Sequence, residues 1–263
     1  MTHRPHHMRG FTLLEMVLVI VIIGVVGAMV AVFIRAPVQG YFDLESRAGM
    51  TDAADTAMRR IGRDLRLALP NSVRVNATAT AVEFLQTRTG GRYRAEGDAG
   101  NPLQPGEVAA VTFDVLGGMP VLPVPGDQVV VYNLGITGAN AYDGGNRAEI
   151  DSADAGSITL TGSKLFPLAS PGNRFHVVDT PVTYRCENGV LRRYWGYAIA
   201  SAQPDPPAGG QNAIIAENVT NCLFNYEQNI VNQRWGLVSM SLTLSRNNEN
   251  VNLYHEVHVS NIP

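Results

Sequence analysis

The chain has 263 residues, enough for one large domain or two small ones beyond any anchor. It is 45% hydrophobic and 16% charged, and its 20 Lys and Arg against 23 Asp and Glu argue against a nucleic-acid partner, which needs a concentrated basic face. The two cysteines, Cys186 and Cys222, read as separate thiols in a cytosolic protein and as one disulfide in an exported one, so the compartment decides between them.

Residues 1–10 (MTHRPHHMRG) are polar and basic. From Phe11 the chain turns apolar, and Met16 to Ile34 is a run of 19 uncharged residues, close to the length that crosses a bilayer as a helix. Arg4 and Arg9 precede the run, which favours a cytoplasmic N-terminus and export of the chain beyond the run. A secretory signal peptide has a shorter apolar core with a small-residue cleavage site after it; here Gly27-Ala28 lies inside the run, so the segment reads as retained. Glu15 is out of place beside this core, because a carboxylate at membrane depth costs roughly 2.5–3.5 kcal/mol on insertion scales and needs a partner or a function. The bland alternative is a carboxylate solvated at the headgroup level.

Gly10-Phe11-Thr12-Leu13-Leu14-Glu15 followed by the apolar run resembles the prepilin processing motif of type IV pilins and type II secretion pseudopilins. The resemblance covers about 25 residues. It implies cleavage after Gly10 by a prepilin peptidase, N-methylation of the new terminus at Phe11, and a role for Glu15 in subunit assembly. It implies further partners in the other minor and major pilins, the inner-membrane assembly platform and the membrane lipid around the stem. Some tip-most pseudopilins lack the glutamate, so its presence implies a subunit that docks onto another. Loss of residues 1–10 would remove Arg4 and Arg9 and leave 18 basic against 23 acidic side chains, as befits an extracytoplasmic domain.

Pro37 lacks an N–H donor and is expected to kink or locally open the helix that carries the stem. Met50, Ala54, Ala57, Met58, Ile61, Leu65 and Leu69 then recur at three- and four-residue spacing, the buried face of an amphipathic helix stopped by Pro70-Asn71. Asp55 and Arg59 form a favourable pair one turn apart on the other face.

Beyond Pro70 short β-rich runs dominate: Val82–Gln86, Val108–Val115, Gln128–Tyr132, Ile158–Leu160, Phe175–Val178 and Val182–Arg185. Asn188-Gly189 predicts a hairpin into Val190–Trp195, since both residues tolerate positive φ. At the C-terminal end Val238, Met240, Leu242 and Leu244 alternate with polar residues, as do Val251, Leu253, His255, Val257 and Val259, which predicts two antiparallel strands with one buried face each. Arg88–Gly106, Gly135–Gly156 and Gln203–Gln211 read as loops. The fold class is α+β: a long N-terminal helix, membrane stem plus amphipathic half, packed on a C-terminal antiparallel sheet that residues 71–180 extend. The expected divisions are a leader at 1–10, a transmembrane stem at 11–36, the amphipathic half-helix at 37–69 and a β-rich head at 70–263.

Leu69-Pro70-Asn71-Ser72-Val73-Arg74-Val75, Tyr184-Arg185-Cys186 and Glu256-Val257-His258-Val259 resemble minor pilins of mannose-sensitive haemagglutinin (MSHA) pilus systems, the O-type subunit in particular. The J-type pseudopilin of type II secretion shares the same plan. These resemblances imply a low-abundance subunit that helps to start or cap a filament, anchored by a single pass in a bacterial inner membrane with its head in the periplasm. With the head exported, Cys186 and Cys222 are expected to pair. A tip adhesin whose Gly135–Gly156 loop meets a surface or glycan is a second class of reading, and a membrane-tethered enzyme a third.

No catalytic set, cofactor or metal site is expected. His255-Glu256-Val257-His258 is one residue short of the HExxH zinc spacing, and on a strand its two histidines face opposite sides, with His255 on the core face. Asp143, Asp151 and Asp154 in the longest loop offer carboxylates to a hard cation, but their spacing matches no EF-hand, and a solvated acidic loop is the plainer reading.

Overall fold

The computed structural model describes residues 11–97, 100–230 and 234–263. The expected leader at residues 1–10, with Gly10, lies outside them. The chain is an α+β protein: one long N-terminal helix, then twelve strands among the described residues, all paired antiparallel.

Helix α1 spans Leu13–Leu65 and runs unbroken through Pro37. It contributes to two compact units, one ending at Gly49 and one spanning Met50–Pro263, the head. Up to Gly49 every described side chain except Ser46 is exposed. In the head the helix buries Met50, Ala54, Ala57, Met58, Ile61 and Leu65, the apolar face expected from their spacing. The helix was expected to reach Leu69 and stops at Leu65, because the next residues are taken by a strand: the Leu69 N–H donates to the Leu85 carbonyl at 2.7 Å and the Leu67 carbonyl accepts from Thr87 N–H at 2.8 Å. Asp64 fixes this last turn by accepting from the Tyr184 hydroxyl at 2.7 Å and from Arg193 Nε at 2.9 Å.

The strands are β1 (Arg74–Val75), β2 (Ala81–Tyr93), β3 (Ala110–Leu116), β4 (Gln128–Val131), β5 (Arg147–Ala153), β6 (Ser157–Lys164), β7 (Arg174–Glu187), β8 (Val190–Trp195), β9 (Gln211–Glu217), β10 (Val219–Ile230), β11 (Trp235–Arg246) and β12 (Glu249–Ser260). The first nine form one sheet and the last three another. In the larger sheet β2 pairs with both β3 and β7, so the pairings β2–β3–β6–β5–β4–β7–β2 close a six-stranded antiparallel ring. The ring is lined by Tyr93, Phe113, Val115, Val129, Val131, Ile150, Ile158, Leu160, Phe175 and Val177, a barrel core filled by side chains. Phe113 and Phe175 meet edge to face inside it, their centroids 5.5 Å apart. Gly91 makes room for them: a β-carbon there would lie 2.9 Å from Phe175 Cζ.

A second core lies between α1 and both sheets. It joins Ala54, Ile61 and Leu65 of the helix to Val82, Phe84, Val182 and Tyr184 of β2 and β7, and to Val238, Met240, Leu242, Val257 and Val259 of β11 and β12. The alternation expected for β11 and β12 is present, in continuous register from Trp235↔Ser260 to Arg246↔Glu249. Helix and sheet come close at Gly62, where a β-carbon would sit 3.2 Å from Val257 Cγ2 and 3.4 Å from His255 Nε2. His255 is half-buried beneath the helix.

Two loop expectations are corrected. Arg88–Tyr93 belongs to β2, whose Gly90-Gly91 reads as a break in sequence but pairs with Phe175 and His176. The segment Gly135–Gly156 contains β5, of which Ile150 alone is buried, so no alternating pattern marks it. The part before β5 folds back onto the sheet: Ala139, Ala141 and Tyr142 are buried, and the Tyr142 hydroxyl donates to the Ser72 carbonyl at 2.9 Å. The stretch Gln203–Gln211 is loop as expected up to its last residue, which opens β9.

Candidate functional site

The site that the sequence singles out is the start of α1. Phe11 is 76% exposed and precedes the helix. Thr12 caps it: its Oγ1 accepts the Glu15 N–H at 3.3 Å, and its carbonyl accepts the Met16 N–H at 3.2 Å. An N-cap threonine satisfies a donor that has no partner inside the helix. Thr12-Leu13-Leu14-Glu15 has the S/T-x-x-E spacing of a capping box. The sequence reading missed Thr12, although this spacing marks it. Glu15 stands in the first turn, where the positive end of the helix dipole favours a carboxylate. Its side chain is exposed, and the adjoining surface, Met16 to Ile34, is apolar and open along its length. Such a surface belongs in lipid or against other helices, and α1 is long and apolar enough to cross a membrane.

Replacing Thr12 with Ala is expected to weaken this turn by about 1 kcal/mol. Hydrogen exchange on the detergent-solubilised chain checks it: the Glu15 amide should exchange severalfold faster, with amides beyond Ile20 unchanged.

In the head the two cysteines, Cys186 at the end of β7 and Cys222 in β10, form a disulfide that ties the larger sheet to the smaller. Main-chain bonds run alongside it through the turn before β2, from Cys186 N–H to the Thr80 carbonyl at 3.0 Å and from Phe224 N–H to the Ala79 carbonyl at 2.7 Å.

The head also buries an ion pair on the face of β2 turned away from α1. Glu83 is fully buried, and Arg74 of β1 donates to its Oε1 from Nε at 3.1 Å and from Nη2 at 2.6 Å. Arg74 also donates to the Ala200 and Ser201 carbonyls, and its guanidinium stacks 3.6 Å from the centre of the Tyr142 ring. Burial pushes the Glu83 carboxyl above its ordinary range, and Arg74 pulls it partly back. The chain segments 133–142 and 197–201 thus cover the sheet over a satisfied charge pair. Sequence reading missed Glu83, which looks like the polar member of an ordinary alternating strand.

The three aspartates of the long segment do not gather. Asp154 accepts from the Gly156 and Ser157 amides at 2.7 Å each, which holds its carboxyl below the usual range and caps the β5–β6 turn. Asp143 and Asp151 are exposed. Among the described residues no three His, Cys, Asp or Glu side chains form a metal-binding group.

Residues 5–31 match the family described as the prokaryotic N-terminal methylation motif. Neither the curated proteins nor the solved structures gave a match to the chain. The motif supports a type IV pilin-like or pseudopilin subunit, and with the apolar helix it supports membrane anchoring.

Proposed function

We propose that this chain is a minor pilin-like structural subunit that helps to initiate or cap a filament of the type IV pilus kind, with the MSHA-type pilus as the system it best fits. The observation that carries the reading is the first turn of α1: a methylation-motif terminus, a capped helix start, and one carboxylate ahead of an open apolar surface. In this reading residues 1–10 are a leader removed by a prepilin peptidase, residues 11–36 are the membrane stem, residues 37–69 continue the helix, and residues 70–263 form a periplasmic head.

The chemistry rests on the positions of Phe11 and Glu15. Cleavage after Gly10 frees a cationic amine on Phe11, which N-methylation keeps cationic. Within a bundle of apolar stems the dielectric is low, and an amine attracts a neighbour's Glu15 far more strongly than in water. The pair also relieves the cost of holding either charge near lipid. Because Glu15 sits four residues from Phe11, the pairing sets the axial offset between neighbouring stems.

The test replaces Glu15 with Gln, which keeps size and removes charge. The variant should be inserted and cleaved as the parent is, and should lose at least about tenfold in cross-linking to other pilins, because a desolvated charge pair is lost. Cross-linking equal to the parent's, or a native protein that still begins at Met1, would reject the reading. Partners identified in the same experiment separate a pilus from a secretion pseudopilus.

A further inference from the structure

The long segment that sequence reading offered to a cation carries a cation of its own, Arg147, and meets a second from β6, Lys164. Arg147 opens β5 and Lys164, the chain's single lysine, ends β6. Both come to Gly144. Lys164 Nζ donates to the Gly144 carbonyl at 2.8 Å, and a β-carbon on Gly144 would lie 3.8 Å from both Nε and Nη2 of Arg147. Both side chains belong to half-buried residues. Their protein partners are neutral: Arg147 Nη1 donates to Gln128 Oε1 at 3.0 Å, and its Nε is shielded from solvent with no partner among the described residues.

Other half-buried arginines of the head are treated differently. Arg74 pairs with Glu83, Arg193 with Asp64, and Arg185 with Glu187 and Asp205. Among the described residues no carboxylate lies within ion-pair distance of Arg147 or Lys164; Asp143 and Glu149, close in sequence, point to solvent as exposed residues. Two like charges held together and partly desolvated are costly unless an opposite charge joins them. Burial lowers the pKa of both groups, and Arg147 lowers that of Lys164 further.

We propose that Arg147 and Lys164, brought together at Gly144, form a binding site for an oxyanion carried by a ligand of the head. Two unit charges match a phosphate or sulfate better than a single carboxylate, and no group among the described residues accepts from Arg147 Nη2. The site is distinct from the stem and does not depend on the filament assignment.

Having one lysine makes the test direct. Reductive methylation with a ¹³C label keeps the charge and reports Lys164, resolved from the terminal amine by its titration. The full chain in detergent micelles is titrated with sodium phosphate, and separately with sodium acetate, against sodium chloride at matched ionic strength, since simple screening moves any exposed amine. Phosphate should shift the Lys164 signal saturably, with Kd of about 1 mM, and should raise its titration midpoint. Arg147→Gln should weaken phosphate about ten- to hundredfold, as expected for a lost charged hydrogen bond. Arg147→Lys should keep most of the affinity, and the urea midpoint of neither variant should fall much, because neither breaks an ion pair. A linear shift equal to that of chloride, acetate binding as tightly as phosphate, or unchanged phosphate binding in Arg147→Gln would each overturn the proposal.

Discussion

Replacing Arg74 with Met is expected to destabilise the head by about 3–5 kcal/mol at neutral pH, the cost of leaving a buried carboxylate without its partner. Glu83 has no exposure through which water could replace the guanidinium. The Thr183 hydroxyl lies 3.4 Å from Oε2, and the Tyr197 hydroxyl, bonded to that of Thr183, also faces the carboxylate. The same substitution also releases the Ala200 and Ser201 carbonyls and unstacks Tyr142. The loss should depend on pH in a direction that burial dictates. A carboxyl whose folded pKa is raised holds its proton more tightly when folded, so its share of stability is greatest below the unfolded pKa and declines as pH rises through the folded one. Without Arg74 that folded value moves higher still. The destabilisation should therefore shrink as pH falls, because Glu83 takes up its proton at higher pH in the variant than in the parent. Both tryptophans, Trp195 and Trp235, lie in the head, so fluorescence-monitored urea unfolding of the detergent-solubilised chain reads this unit. Removing both charges, Arg74→Met with Glu83→Leu, should recover most of the loss, because an apolar pair of similar volume needs no counter-ion. A single Arg74→Met midpoint that does not move between pH 7 and about 4 would contradict this account.

Replacing both cysteines with Ser is expected to cost about 4 kcal/mol. The bond closes a loop between residues 36 positions apart, and the chain-entropy relation gives that figure for a loop of this length. The effect should fall first on β10–β12, because this three-stranded sheet is a separate ladder held to the rest by packing, by the disulfide and by few main-chain bonds. Hydrogen exchange should show amides of β10 losing protection before those of β4 and β7, which lie within the closed ring. Uniform loss of protection across both sheets would place the constraint elsewhere.

How much could be read beforehand depends on what each element buries. The face Met50–Leu65 and the alternation in β11 and β12 were legible because each has one dry and one wet side, which stamps a period on the sequence. The apolar half of α1 was legible from its length without charge. Strand β5 was not, since Arg147, Glu149, Asp151 and Ser152 surround one buried residue, Ile150. Nor was β9, an outer strand of largely exposed residues that comes after a proline-rich stretch. Ring closure leaves no local trace: it depends on β2 meeting both β3 and β7, and on glycines at 90 and 91 that mark a turn anywhere except beside a ring such as that of Phe175. At the candidate site Glu15 announced itself as a charge beside an apolar run, whereas Thr12 required the cap spacing to be noticed. Arg147 and Lys164 could not have been paired from sequence, because only the fold brings Lys164 to Gly144, three residues before Arg147.

The strands β2 and β7 pass through the two larger apolar centres of the head, lining the barrel with one half and facing α1 with the other. The part of the helix-facing centre built on these two strands is therefore tied to the barrel, whereas its β10–β12 side is held by packing and the disulfide. Two hydrophobic clusters that would make separate modules in another topology are thus joined through continuous backbone, so that loosening of the barrel is expected to reach the helix through β2 and β7.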